Sequence, residues 1–152
     1  MKKWFKLPIL FSIVLIVLAS CNNDDDDNNS LPDPSMSANI DGISWTADVS
    51  LTGSTGGNVL LLTGAGSNGT QIVISVVNYT GESTYDIPSG NSNSFGRWNS
   101  GTEQFSTTIG GTGTVNVTTD NGNQVSGTFS FTALSLGANN ASITQGEFTV
   151  DL

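Results

Sequence analysis

Histidine is absent from the 152-residue sequence, and cysteine occurs only once, as Cys21. Without histidine the chain can have neither a Ser-His-Asp triad nor a histidine general base. A single cysteine excludes a disulfide framework and any zinc site built from pairs of cysteine or histidine. Several large classes of hydrolase and metalloprotein are therefore ruled out by composition alone.

Positive charge is also scarce. The four basic residues are Lys2, Lys3, Lys6 and Arg97, while thirteen residues are acidic, which gives a formal net charge of −9. Every residue after Lys6 except Arg97 is acidic or uncharged at neutral pH. A nucleic-acid partner is excluded because binding to phosphates needs a basic surface.

The sequence has no apolar run long enough to span a bilayer, which takes about 20 residues. Its longest run, residues 7–18, follows the basic start and precedes the tetrapeptide LASC at 18–21. This pattern predicts a signal peptide over residues 1–20, and LASC is similar to the bacterial lipobox. That similarity implies that Cys21 carries a covalent lipid, the one cofactor we expect, and that the membrane partner is reached through this anchor. The alternative is an ordinary secretory signal cut near Ala19.

An acidic, polar segment follows Cys21. Residues 21–35 contain the run Asp24, Asp25, Asp26 and Asp27 among asparagine, serine and proline, a composition that predicts a disordered spacer. The run resembles the export signal of Bacteroidota lipoproteins, which implies an outer-membrane location facing the cell exterior. If the aspartates serve only as a soluble linker, the domain faces the periplasm.

Residues 36–152 alternate short apolar and polar runs with turns of Gly, Asn and Asp, and no helical period persists. We therefore predict one all-β domain, an antiparallel β-sandwich or flattened β-barrel of about nine or ten short strands. The predicted strands are 37–40, 43–47, 59–63, 71–78, 84–87, 95–98, 104–108, 112–119, 124–134 and 143–152.

Three local features predict the connections. Asp41-Gly42 has the chemistry of a type I′ turn and predicts a hairpin between the first two strands. Asn121-Gly122 predicts a second hairpin, in which the odd positions from Val125 face one side. The apolar phase of the last strand changes at Gln145-Gly146, which predicts a β-bulge with the glycine in the unusual conformation.

The order of several motifs suggests a family. They are ANIDGISWTA at 38–47, YTG at 79–81 with TY at 84–85, GTVNV at 113–117, VSGTFSF at 125–131 and ITQGEFTV at 143–150. Together they resemble Bacteroidota lipoproteins of one uncharacterised domain family. The resemblance implies a compact β-domain on a lipid anchor and transfers no site residues.

The remaining motifs argue against an enzyme. The sequence GAGSNG at 64–69 satisfies G-x-G-x-x-G but precedes a strand, so it predicts a hairpin loop and not a dinucleotide site. The stretch DNGN at 120–123 matches no full calcium loop, and we predict no metal site. A carboxylate-based hydrolase is the one enzyme class left open, with Glu82, Asp86 and Glu103 as candidates.

Aromatic residues concentrate between Tyr79 and Phe105. Aromatic faces beside amide and charged groups are suited to sugar binding, so we predict that Trp98, Arg97, Tyr85 and Phe95 bind an extracellular glycan or polymer, with Trp98 the most exposed aromatic. The alternative for each aromatic is a place in the core. The alternative function is an envelope protein that binds a protein partner through an exposed strand edge.

Overall fold

The computed structural model describes residues 31–152, and the predictions for the signal peptide, Cys21 and the four aspartates at 24–27 lie outside these residues. Within this part the chain forms eleven strands and one short 3-10 turn, and no helix there is long and apolar enough to cross a membrane. The strands are β1 Ser35–Ile40, β2 Ile43–Thr46, β3 Ser50–Gly56, β4 Val59–Ala65, β5 Gln71–Val77, β6 Ser83–Ile87, β7 Phe95–Asn99, β8 Gln104–Ser106, β9 Gly113–Asp120, β10 Gln124–Leu134 and β11 Asn140–Asp151.

All eleven strands belong to one antiparallel sheet that curls into a half-barrel. The main path runs β2-β1-β11-β10-β8-β7-β5-β4-β3, and β9 and β6 continue from β10 on a second branch. The long strand β10 makes this branching possible, because it pairs with β9 over most of its length and with β8 at Leu134. The predicted all-β antiparallel fold is confirmed.

The predicted hairpins are confirmed in detail. Asp41 and Gly42 both have positive φ, 51° and 86°, as the type I′ turn between β1 and β2 requires. Strands β9 and β10 pair around the Asn121-Gly122 turn. In β10 the predicted inward positions Val125, Phe129, Phe131 and Ala133 are all buried.

Strand β3 is missing from the predicted set. The structure therefore has eleven strands where nine or ten were predicted. Its sequence, SLTGSTG, lacks the apolar alternation that marks a strand. It lies at the end of the main path and pairs only with β4. An edge strand of this kind needs few apolar residues, and only Leu51 packs against the core.

The predicted bulge in β11 is confirmed, because the register shifts there against β1 and β10. The prediction that Gly146 supplies the unusual conformation is wrong: Gln145 has the positive φ, 50°. Gly146 serves a different purpose, since a Cβ on it would lie 2.6 Å from the ring of Phe129. The glycine thus lets Phe129 lie flat against the backbone of the neighbouring strand.

Glycines also allow strands of the main path that are not hydrogen-bonded neighbours to approach each other closely. A Cβ on Gly96 would lie 2.8 Å from Phe131, one on Gly64 2.6 Å from the Met36 sulfur, and one on Gly53 2.7 Å from Val150. The core enclosed by the curled sheet is apolar and buried; its largest fully buried members include Leu60, Leu62, Ile72, Ile74, Ile87 and Ile143.

The chain enters the domain close to β1. The carbonyl of Pro32 accepts a hydrogen bond from Gln124 Nε2 at 2.8 Å, and Ser35 is already part of β1. The strand thus begins one residue before the predicted domain boundary at residue 36.

Candidate functional site

Six hydrogen-bonded strands, in the order β2, β1, β11, β10, β9 and β6, have small polar side chains on their outer face. Successive side chains of a strand point to opposite faces, and in these six strands the inward positions are largely apolar. The register places one outward residue of each strand in a continuous row: Thr46, Ser37, Glu147, Thr128, Asn116 and Thr84.

A second row runs parallel to the first at the level of the bulge in β11. Its members are Ser44, Asn39 and Thr144 on one side of the bulge and Ser130, Thr114 and Asp86 on the other. The twelve residues of the two rows include no aliphatic, aromatic or basic side chain. The side chains of the two rows therefore offer hydroxyl, amide and carboxylate groups.

Two adjoining cavities lie on this face and together form what we term the outer groove. The first has a volume of about 610 Å³ and extends from β2 to β9. The second has a volume of about 510 Å³ and extends from β11 to β6. Thr114 and Ser130 line both cavities, so the outer groove is continuous across the six strands.

Hydrogen bonds order the side chains at one end of the outer groove. Ser44 Oγ donates to Asn39 Oδ1 at 3.3 Å, and Asn39 Nδ2 donates to Gln145 Oε1. All three residues line the first cavity. The chain of hydrogen bonds connects β2, β1 and β11 and fixes the amide of Gln145.

Two carboxylates in the outer groove differ from the other acidic groups of the domain. Of the eight carboxylates between residues 41 and 151, six accept hydrogen bonds from within residues 31–152, as Asp41 does from the Ser142 amide. Asp86 and Glu147 are the two that accept none from these residues, and both are exposed in the outer groove. Three strand steps and two residues along the strand separate them, a distance of about 16 Å at the usual strand spacing and rise.

Trp98 does not lie on the surface, so the prediction that it is the most exposed aromatic is wrong. It is 7% exposed, and its ring packs edge-on against Trp45 with 5.8 Å between centroids. The polar neighbours Arg97 and Asn99 led to the wrong prediction. In a strand, the residues before and after an inward side chain point outward, so polar neighbours do not indicate that Trp98 is exposed.

The structure does not bring the other three predicted ligand-binding residues together. Phe95 and Arg97 lie on the outer face of β7, with the Arg97 guanidinium carbon 5.1 Å from the Phe95 ring centroid. Arg97 Nε is buried and has no hydrogen-bond partner within residues 31–152. Tyr85 is on β6, on the other branch of the sheet, and its hydroxyl donates to the Gly81 carbonyl at 2.7 Å.

Tyr79 forms a hydrogen bond with an acidic residue outside the outer groove. The hydroxyl of Tyr79, a residue only 7% exposed, donates to Asp120 Oδ2 at 2.7 Å. Burial and the hydrogen bond to Asp120 raise the pKa of Tyr79 far above its usual range.

Within residues 31–152, no three Asp, Glu, His or Cys side chains lie together as a metal site would require.

The residues of the outer groove were not predicted from the sequence. Alternating serine and threonine look the same in any solvated strand, and only the register of six strands shows which of them share one groove. No signal in the sequence marks them: strands β1 to β11 contain no lysine and no arginine except Arg97 in β7, so the lack of positive charge in β9 and β10 does not distinguish this face.

Comparison with known proteins identifies the family to which the chain belongs. No curated protein and no solved structure matches the chain. A family model described as a domain of unknown function (DUF6252) matches residues 32–150, which include all eleven strands except the last residue of β11. The chain therefore belongs to this family of uncharacterised domains.

Proposed function

We propose that the protein is a lipoprotein of the outer membrane, that it faces the cell exterior, and that its domain binds a neutral extracellular glycan in the outer groove without catalysing a reaction. The observation that carries the glycan proposal is the outer groove itself, a continuous cavity whose lining combines apolar residues, among them Trp45, Phe129 and Phe131, with hydroxyl, amide and unpartnered carboxylate groups. These groups match the alternating donors and acceptors of a sugar chain.

Charge supports a neutral ligand. Residues 31–152 contain nine acidic residues and one basic residue, Arg97, a net charge of −8, and Arg97 lies on the outer face of β7, away from the outer groove. Asp86 and Glu147 line the outer groove. A sulfated, phosphorylated or uronic-acid polymer would be repelled by these carboxylates and would find no cation to pair with.

The same two carboxylates support a binding role over hydrolysis. Glycoside hydrolases need two carboxyl groups about 5 to 10 Å apart on either side of the scissile bond. Asp86 and Glu147 are about 16 Å apart by strand spacing and rise. The carboxylates of Glu82 and Glu103 are engaged in hydrogen bonds to the Asp120 amide and to Asn139.

The lipoprotein part of the proposal rests on the sequence before the domain. The basic start, the apolar run at 7–18 and LASC at 18–21 support acylation of Cys21, and the four aspartates at 24–27 support export to the exterior. Protease treatment of intact cells that carry a tagged copy tests this: we expect cleavage of the wild-type protein and protection when Asp24, Asp25, Asp26 and Asp27 are replaced by Asn. Protection of the wild type, with cleavage only after lysis, would place the domain in the periplasm.

A blocking variant tests glycan binding in the outer groove. Thr114 is exposed at the junction of the two cavities, so Thr114→Tyr should obstruct the outer groove at this junction without disturbing the core. Thr52→Tyr makes the same change at an exposed outward position of β3. In affinity electrophoresis on neutral polysaccharides, we expect Thr114→Tyr to lose retention and Thr52→Tyr to keep it. Equal retention of both variants would show that the glycan does not bind in the outer groove.

Strand β2 supports a second candidate function, the binding of a protein partner. It lies at one end of the sheet path and pairs only with β1, and Ile43 at its start is 74% exposed. A free edge of this kind can accept a strand from another chain. Cross-linking in native membranes tests this candidate: a partner recovered with the wild type and lost in Ile43→Lys would favour it, and a domain always recovered alone would exclude it.

A further inference from the structure

Gln145 is placed in the outer groove by an unfavourable backbone conformation. Its φ is 50°, a left-handed value that residues other than glycine and asparagine seldom adopt and that costs free energy. The bulge takes Gln145 out of the alternation of β11, so that Thr144, Gln145 and Glu147 are all exposed on the same strand. Backbone strain of this kind is often retained where a side chain must be held in a particular place.

The hydrogen bonds of Gln145 leave its amide nitrogen available. Asn39 Nδ2 donates to Gln145 Oε1, and Asn39 is itself held by Ser44. The oxygen of the Gln145 amide is therefore engaged, and Nε2 has no acceptor within residues 31–152. The outer groove thus contains an oriented donor of two hydrogen bonds.

Glu147 supplies the complementary acceptor. It is two residues beyond Gln145 on β11, lines the same cavity of about 610 Å³, and its carboxylate accepts no hydrogen bond from residues 31–152. Its cross-strand neighbours in the row are Ser37 and Thr128, whose hydroxyls carry no formal charge. A hydrogen bond from a ligand hydroxyl to this carboxylate would be charge-assisted and therefore strong.

We propose that Gln145 and Glu147 form a subsite for two adjacent hydroxyl groups of a neutral sugar. The Gln145 amide donates to the oxygen of one hydroxyl, and the Glu147 carboxylate accepts a hydrogen bond from the next. This inference rests on the proposed glycan-binding function and adds to it the chemical group that is recognised. A sugar chain without adjacent hydroxyls can satisfy only one of the two side chains.

Variants of the full-length protein test the protein side of the subsite. Glu147→Gln keeps the shape and removes the charged acceptor, and Gln145→Gly removes the donor while it relieves the backbone strain. We expect each to weaken binding of a retained neutral polysaccharide at least tenfold, measured by calorimetry, while Gln145→Gly melts at the same or a higher temperature than the wild type. Asp33→Asn, which removes an exposed carboxylate away from the outer groove, should bind as the wild type does.

Matched polysaccharides test the ligand side. Starch, dextran, mannan and xylan carry adjacent hydroxyls within the chain, whereas the internal units of laminarin, a neutral glucan, carry none. We expect binding to at least one of the first group, at least tenfold weaker binding to laminarin, and loss of binding after periodate cleavage and borohydride reduction of the bound polysaccharide.

The outcomes separate the two proposals. Tight binding that survives Glu147→Gln, Gln145→Gly or periodate treatment would overturn the subsite and leave glycan binding standing. Retention of none of these neutral polysaccharides by the wild type would overturn the proposed function and the subsite with it.

Discussion

At the residue scale, aromatic side chains that adjoin polar residues in the sequence have structural roles. Tyr79 is buried with its hydroxyl on Asp120, and Trp98 packs against Trp45, whose indole nitrogen donates to Thr70 Oγ1 at 3.0 Å. Both rings are buried. The Tyr79 hydroxyl keeps a hydrogen-bond partner, and the polar neighbours of Trp98 point to the opposite face of β7. Composition alone left open whether these aromatics belong to a ligand site or to the core. For Trp98 in β7 strand alternation decides for the core, whereas Tyr79 is buried in the connection that follows β5.

Tyr79 should make the stability of the domain depend on pH in the alkaline range. Its raised pKa means that the folded phenol stays protonated above pH 10, near which the unfolded phenol ionises. The folded state then binds the proton more tightly, so its contribution is complete below about pH 10 and is lost as pH rises further. Urea unfolding followed across this range should show falling stability in the wild type.

The variant Tyr79→Phe isolates this contribution. It should cost about 1 to 3 kcal/mol at neutral pH through loss of the hydrogen bond to Asp120, and its stability should vary less with pH above 10 than that of the wild type. An equally steep decline in the variant would assign the alkaline sensitivity to another group.

Trp98 should matter for stability and not for direct contact with a ligand. Because it is 7% exposed and packs against Trp45, Trp98→Ala should destabilise the domain by about 3 to 5 kcal/mol through the cavity it leaves. Arg97→Ala, on the outer face, should cost much less. Urea unfolding of the two variants distinguishes these effects; a Trp98→Ala domain as stable as the wild type would show that the tryptophan is not a core residue.

At the element scale, glycines determine how the strands pack. The sequence predicts the hairpins around Gly42 and Gly122 because turn chemistry is local, and it predicts the bulge because the apolar phase changes there. It does not predict β3, whose residues carry no apolar pattern, nor the contact between Gly96 of β7 and Phe131 of β10. Contacts between strands far apart in the chain depend on the curl of the whole sheet.

Adding a methyl group to Gly96 should push β7 away from Phe131 of β10. A Cβ there would lie 2.8 Å from the Phe131 ring, so Gly96→Ala should destabilise the domain by about 1 to 3 kcal/mol through overpacking. Gly56→Ala is the matched control, since nothing lies within 4 Å of its Cβ position at the end of β3. Thermal melting compares the two; equal melting temperatures would mean that the close approach at Gly96 is unimportant.

At the scale of the whole molecule, register brings distant residues into one site. Ser37, Thr114, Ser130 and Glu147 come from four strands and line the first cavity of the outer groove, although none of them stands out in the sequence. The all-β class, the alternation and the net charge could be predicted because they are sums over many residues. The site could not, since it depends on which strands are neighbours and on a one-residue bulge.

The most direct test of the outer groove as a glycan site is an NMR titration of the isotopically labelled protein with a retained neutral polysaccharide. We expect that the amide signals that move belong to residues of the outer groove, among them Ser37, Thr114, Ser130 and Glu147, and that the Thr52 signal on β3 does not move. Shifts confined to the outer face of β7 around Phe95 and Arg97, or no shifts with any neutral polysaccharide, would contradict it.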